Sequence, residues 1–364
     1  MEAALFLEDG KYYTGKLLGQ EGTTWGEIVF NTSMTGFEEI LTDPSYRGQI
    51  VLLTYPLIGN YGFNEKDIES YNLHLEGLVI KNTCDNPHHW QSNNNLNSYL
   101  VKNNKTGITD IDTRSLTKHI RENGNMFGII SSEFKKIENL KEKLFTGVKE
   151  KRNLVKEVSV SEPVLVSGDG PRIVVMDFGV KYNILRYLKN AGAELIIVPA
   201  NTSKEEVMNY SPDGILLSSG PGDPGDLSEI IKEIKKIIGK IPTFGICLGH
   251  QLLGLALGGS TYKMKFGHHG GNHPVKDLNT GKVIITTQNH GYALKDNLPS
   301  GIEVTHRNLN DQTIEGMRYT DYAIFSLQYH PEAAPGPADS NYIFHEFISS
   351  IEGNKKGSSR VKVV

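Results

Sequence analysis

Ile241-Pro-Thr-Phe-Gly-Ile-Cys247-Leu-Gly-His-Gln-Leu-Leu-Gly-Leu-Ala-Leu257 is the stretch on which the reading of this chain turns. A short apolar strand, Thr243 to Ile246, runs directly into a helix, and Cys247 stands at the corner. Glycines two residues before and two after it give Gly245-Ile246-Cys247-Leu248-Gly249. That spacing is the elbow that presents a nucleophile on a strained turn, where larger neighbours would clash. The corner points sulfur away from the sheet and sets it at a helix N-terminus, whose free N–H groups and positive dipole end favour thiolate. A lone cysteine is more often a packed apolar residue. The flanking glycines, the strand-to-helix junction and a histidine downstream reverse that reading, and Cys247 is taken as the nucleophile.

Outward from the elbow, strands and helices alternate. Ile173 to Met176, Leu195 to Val198 and Gly214 to Ser218 read as strands. Asn183 to Lys189 reads as a helix ended near Gly192, and Thr202-x-x-Glu205 as a capping box opening the next. Ile230, Ile231, Ile234, Ile237 and Ile238 recur at helical spacing and stop at Gly239. Alternation with continuous apolar strands argues for a parallel sheet covered on both faces, with reactive groups at the carboxyl ends of its strands. Two such ends join Cys247. Phe325-Ser-Leu-Gln-Tyr-His330 continues as Pro331-Glu332, so a carboxylate can fold back to fix the imidazole tautomer. The strand Gly214 to Ser218 ends in Ser219-Gly220-Pro221-Gly222-Asp223-Pro224, whose glycines let the backbone approach a ligand. The amides of Gly220 and Leu248 are candidates for an oxyanion hole. After Gly259 short strands are expected at 282–287, 303–306 and 323–329, then a helix from Tyr342 to Ile351.

Composition bounds the function. The chain has 364 residues, long enough for two or three domains, and 38 Lys+Arg against 42 Asp+Glu give a net charge of -4. That balance offers no basic surface for nucleic acid or anionic membrane. No apolar run approaches the ~20 residues of a membrane span, and the first residues lack a signal-peptide pattern. Cys84 and Cys247 are the only two cysteines and read as reduced thiols, so a cytoplasmic location is expected.

The first half reads as strand-rich. Leu5-Phe6-Leu7, Asp9-Gly10 and Tyr12-Tyr13-Thr14 make a hairpin signal, and Ile28 to Phe30, Gln49 to Thr54 and Gly77 to Ile80 are further strands. Thr35 to Thr42 is a short helix, closed by Asp43-Pro44-Ser45-Tyr46, and Asp112 caps another that Gly124 ends. His88-His89-Trp90 reads as an exposed loop, not a metal site. The expected fold is α/β: a C-terminal domain with a mostly parallel, helix-covered sheet, preceded by a strand-rich α+β domain. The boundaries read as 1–158, a polar linker at 159–171, 172–352, and a disordered tail at 353–364.

Gly220-Pro-Gly222-Asp-Pro, Phe-Gly-Ile-Cys247-Leu-Gly-His-Gln and His330-Pro-Glu332, in this order, resemble the class I glutamine amidotransferase domain. The motifs from Phe30 to Tyr46, Leu53 to Gly62, Gly107 to Arg114, Lys263 to Pro274 and Gln288 to Ala293 narrow the resemblance, end to end, to the small chain of carbamoyl-phosphate synthase. The resemblance implies L-glutamine as substrate and a large synthetase chain as partner, in a heterodimer serving arginine or pyrimidine biosynthesis. It implies glutamine contacts at Ser45, Gly220, Gly222, Leu248, Gln251, Asn289, Gly291 and Tyr292, the last often Phe in this family. It also implies no cofactor in this chain, with ATP and a divalent metal on the large chain, in keeping with the lack of a G-x-x-x-x-G-K-[ST] loop here. His268, His269 and His273 then belong to a structural loop, and no metal is expected. The alternatives are a γ-glutamyl cysteine hydrolase acting alone, disfavoured by the first-half motifs, and a non-catalytic binding module, disfavoured by intact Cys247, His330 and Glu332.

Overall fold

The computed structural model describes residues 1–134, 136–148, 152–319 and 322–355. Its chain divides into two compact units, Met1–Leu154 with Lys265–Gly270, and Val155–Met264 with Gly271 onward.

The first unit is built on a closed barrel. Its strands run, in spatial order, Glu2–Leu7, Tyr12–Gly19, Thr106–Thr109, Gly77–Val79, Gln49–Leu53, Thr23–Asn31 and Met126–Ser131. The Asp-Gly hairpin forms as expected: Gly10 takes φ 93°, and Phe6 pairs with Tyr12. Alternation along each strand sorts side chains to two sides of the wall. Leu5, Leu7, Ile28, Ile50 and Leu52 pack in one cluster, and Val29, Val51 and Leu53 in another. The second cluster is closed by Phe37, Ile40 and Leu41 of the helix Phe37–Thr42. Asp112 caps Thr113–Asn123 through Ser115 N–H at 3.0 Å. Trp90, on the His88-His89-Trp90 loop, is exposed.

The second unit holds a ten-stranded sheet. At its centre Glu194–Pro199, Arg172–Asp177, Gly214–Leu217, Thr243–Ile246 and Ile324–Leu327 run parallel, and antiparallel strands flank them on both sides. Val174, Met176, Ile215 and Leu217 face a core shared with the helices Lys204–Asn209, Ser228–Ile237 and Leu248–Ala256. Ile173, Val175, Leu216 and Phe244 face the opposite core, covered by Tyr182–Asn190 and Tyr342–Lys355. Two-sided burial explains the continuous apolar strands.

Several expectations need correction. The capping box sits one residue later than the sequence suggests: Ser203 Oγ accepts from Glu206 N–H, and Glu206 accepts from Ser203 N–H. Thr202 instead donates its hydroxyl to Pro199 O at 2.7 Å. Within 159–171, read as linker, Val164–Val166 forms an antiparallel edge strand against Glu194–Pro199. Val160 N–H is held by Asp177 Oδ2 at 2.8 Å. His268, His269 and His273, read as loop, lie in one 17-residue strand, Thr261–Asp277. The Lys265–Gly270 part of that strand belongs to the first unit, where Thr32 N–H bonds His269 O at 3.1 Å. Glycine-rich sequence hides such a strand because pairing, not propensity, stabilises it. The expected strand at 282–287 extends to Leu294, and the last helix reaches Lys355. Positions 356–364 of the expected disordered tail lie outside the described residues. Among the described residues no helix is long and apolar enough to cross a membrane.

Candidate active site

Cys247 takes φ 53°, ψ -103°, a backbone geometry costly for any residue with a side chain. Its surroundings hold it there. Cys247 N–H bonds Leu327 O at 2.8 Å, and Gly249 N–H bonds Ser218 O at 3.0 Å. Both flanking glycines are required by space: a Cβ on Gly249 would come within 2.1 Å of Leu217 O, and one on Gly245 within 2.8 Å of Gly249 C. The elbow is therefore pinned between the two parallel strands on either side of its own.

His330 follows the end of one of those strands. Its Nδ1 lies 2.6 Å from Glu332 Oε1, and both side chains are fully buried. The carboxylate fixes Nδ1 as the donor, so the other ring nitrogen, Nε2, is the one left for chemistry with the Cys247 side chain, which interacts with the ring. Burial opposes charge on the imidazole, but the negative charges of Glu332 and of the Cys247 sulfur outweigh it and raise the His330 pKa. Burial opposes charge on Glu332 too, yet Lys181 and His330 hold its pKa below the usual carboxylate range.

Lys181 is the member that sequence reading missed. Its ammonium is 3.0 Å from Glu332 Oε1 and 2.6 Å from Ala333 O, with the side chain 1% exposed. It stands after the turn that ends Arg172–Asp177, where Asp177 Oδ1 accepts from Gly179 and Val180 N–H. Next to it, Asn183 Nδ2 bonds Glu332 O at 2.6 Å. A fourth strand end thus supports the site. The signal available was positional: a lysine four residues beyond the carboxyl end of a parallel strand.

The remaining sequence-derived positions fall as follows. Gly220 packs against the head of the elbow helix, where a Cβ would meet Phe178 O at 2.2 Å and Leu248 Cδ2 at 2.9 Å. Gly222 has φ 92°. The Asn289 carbonyl is 3.6 Å from Cys247 Sγ. Gln251 donates its amide to Tyr292 O at 2.8 Å and to Gln328 Oε1 at 3.0 Å. A Cβ on Gly291 would meet no atom within 4 Å, so open space adjoins it. Ser45 belongs to the first unit, in the turn Pro44–Tyr46, where its N–H bonds Asp43 Oδ1 at 2.9 Å and its buried hydroxyl makes no hydrogen bond among the described residues. Gln328, whose Nε2 lies 3.7 Å from Cys247 Sγ, was also missed, although period-two alternation places it on the same side of its segment as His330.

Comparison with known proteins matches this architecture. Residues 174–350 match the model of the family "Glutamine amidotransferase class-I", and residues 5–130 that of "Carbamoyl-phosphate synthase small chain, CPSase domain". The carbamoyl phosphate synthase small chain of Bacillus caldolyticus is 49% identical over 360 residues, covering 98% of this chain and 99% of that one. The chain belongs to the carbamoyl-phosphate synthase small-chain family. The pyrimidine-specific small chain of Bacillus subtilis (strain 168) is likewise 49% identical, covering 99% of each chain. The small chain of Clostridium perfringens matches at 49% over 96% of this chain and 99% of that one. As a member of this family the chain is an enzyme of the glutamine-amidotransferase type, and the elbow lies inside its amidotransferase domain.

Proposed function

We propose that Cys247 attacks the side-chain amide of L-glutamine, forming a γ-glutamyl thioester and releasing ammonia for a large synthetase chain. What carries the reading is the conjunction of a strained cysteine at a helix start with a buried His330–Glu332 pair whose imidazole interacts with the cysteine side chain. The thiolate adds to the amide carbon while the amides of Gly220 and Leu248 hold the oxyanion. Imidazolium at His330 gives its Nε2 proton to the departing nitrogen. Neutral His330 then takes a proton from water, which hydrolyses the thioester to glutamate and frees Cys247. Glu332 orients the ring and stabilises its cationic form, and Lys181 holds the carboxylate. The open space at Gly291, with Gln251, Asn289, Tyr292 and Gly222, would accommodate the amino-acid end of glutamine.

No cofactor enters this chemistry. ATP, bicarbonate and a divalent metal would be handled on the large chain, and the first unit, with its family-specific motifs, would dock that partner in the cytoplasm. Pyrimidine supply is the pathway named for the Bacillus subtilis relative, and arginine supply is the other use expected from the resemblance. Acid quenching during turnover of labelled glutamine tests the thioester. Label should remain on a Cys247 peptide and be released by hydroxylamine; a protein that turns over without ever retaining label would rule the intermediate out.

A further inference from the structure

The sulfur of Cys247 has a neighbour on each side with opposite electrostatic preference. The Asn289 carbonyl, at 3.6 Å, can accept a hydrogen from the thiol and repels the thiolate. The Gln328 side chain, at 3.7 Å and with no exposed surface, presents its amide nitrogen to the same sulfur. Which end of an amide faces a neighbour is ordinarily ambiguous, but here it is fixed through two links. The backbone carbonyl of Tyr292 can only accept, so Gln251 must turn its NH2 toward it, at 2.8 Å. The second hydrogen of that NH2 points at Gln328, 3.0 Å away, so Gln328 must present its oxygen there. Its NH2 is left for the sulfur. Turning either amide round would set like poles together at the buried Gln251–Gln328 contact, at the cost of an unmade buried hydrogen bond.

We propose that Gln328 is a hydrogen-bond donor that favours the anionic form of Cys247, and that Gln251 and the Tyr292 carbonyl position it for that purpose. This rests on the nucleophile reading above and deepens it. A donor directed at a charged acceptor gains strength as the charge forms, so Gln328 offsets the opposing Asn289 carbonyl and assists His330. It also gives Gln251 a role apart from substrate contact.

The test is the rate at which iodoacetamide alkylates Cys247 in the full-length chain as pH is varied, read by peptide mass spectrometry, with Cys84 of the first unit as internal reference. Gln328→Glu keeps an oxygen for Gln251 but places an oxygen, not a donor, against the sulfur; Gln328→Met removes both links. For both variants the rate at Cys247 should fall about tenfold at pH 7, the size expected for one lost hydrogen bond to a charged group. The half-maximal pH should move upward and Cys84 should be unaffected. A merely structural Gln328 would leave the pH profile of the charge-neutral Gln328→Met on that of the wild type, and that result overturns the proposal. Gln328→Glu adds a carboxyl beside the sulfur, so an upward shift there supports the proposal only together with one in Gln328→Met, and if Gln328→Met does not fold an unmoved profile in Gln328→Glu overturns it. Should alkylation of Cys247 in the wild type leave glutamine hydrolysis intact, the nucleophile reading fails as well, whereas loss of hydrolysis with unmoved profiles removes only the role of Gln328.

Discussion

Single residues carry strain and charge that the surrounding chain is built to hold. Cys247 tolerates a positive φ because Gly245 and Gly249 leave no side chain in its way and because both neighbouring strands bond its turn. Glu38 is a comparable case in the first unit. It is enclosed, and burial together with Asp67 and Glu39 pushes its carboxyl up to about 8 against the opposing Asn64 N–H bond. A raised acid pKa in the folded state adds stability fully present below the ordinary value of 4.5 and lost as pH rises through about 8. Glu38→Gln should therefore melt close to the wild type at pH 5 and a few degrees higher at pH 9. Thermal scans across that range check it, and a difference independent of pH would count against a buried, protonated Glu38.

At the scale of elements, the site is a set of strand ends held together by a buried charge network. Lys181 and Glu332 are paired at 3.0 Å with almost no exposure, so removing the cation strands a buried carboxylate. Lys181→Met should destabilise the second unit by about 3–5 kcal/mol, the usual loss when one member of a buried pair is deleted. It should also slow glutamine turnover, since Glu332 would no longer be held for His330. Urea titration and a glutaminase assay give the two numbers, and unchanged stability would show the pair to be incidental. Most of this arrangement was legible because it is local in sequence. The elbow glycines, the His330-Pro-Glu332 run and the strand–helix alternation each declare themselves within ten residues or so. Lys181 does not, because its partner Ala333 is 152 residues away and its place after a strand end, the one positional signal, names no partner. The strand Thr261–Asp277 was hidden for a related reason: Gly267, Gly270 and Gly271 break any apolar alternation, so only its pairing reveals it.

For the whole molecule, the two units divide the labour proposed above. A fragment beginning at Val155 keeps the Val160–Asp177 bond and the edge strand Val164–Val166, whereas one beginning at Pro171 bares the Glu194–Pro199 edge. The longer fragment should melt higher by circular dichroism, and neither should co-elute with the large chain in gel filtration. Co-elution of either would remove the first unit from its docking role. The most direct measurement is made on Cys247→Ser assembled with the large chain, with carbamoyl phosphate synthesis followed from glutamine and, separately, from added ammonia. A serine hydroxyl at this corner ionises far less readily than a thiol, so synthesis from glutamine should fall to a few per cent or less while synthesis from ammonia persists. Substantial synthesis from glutamine in that variant would contradict Cys247 as the nucleophile.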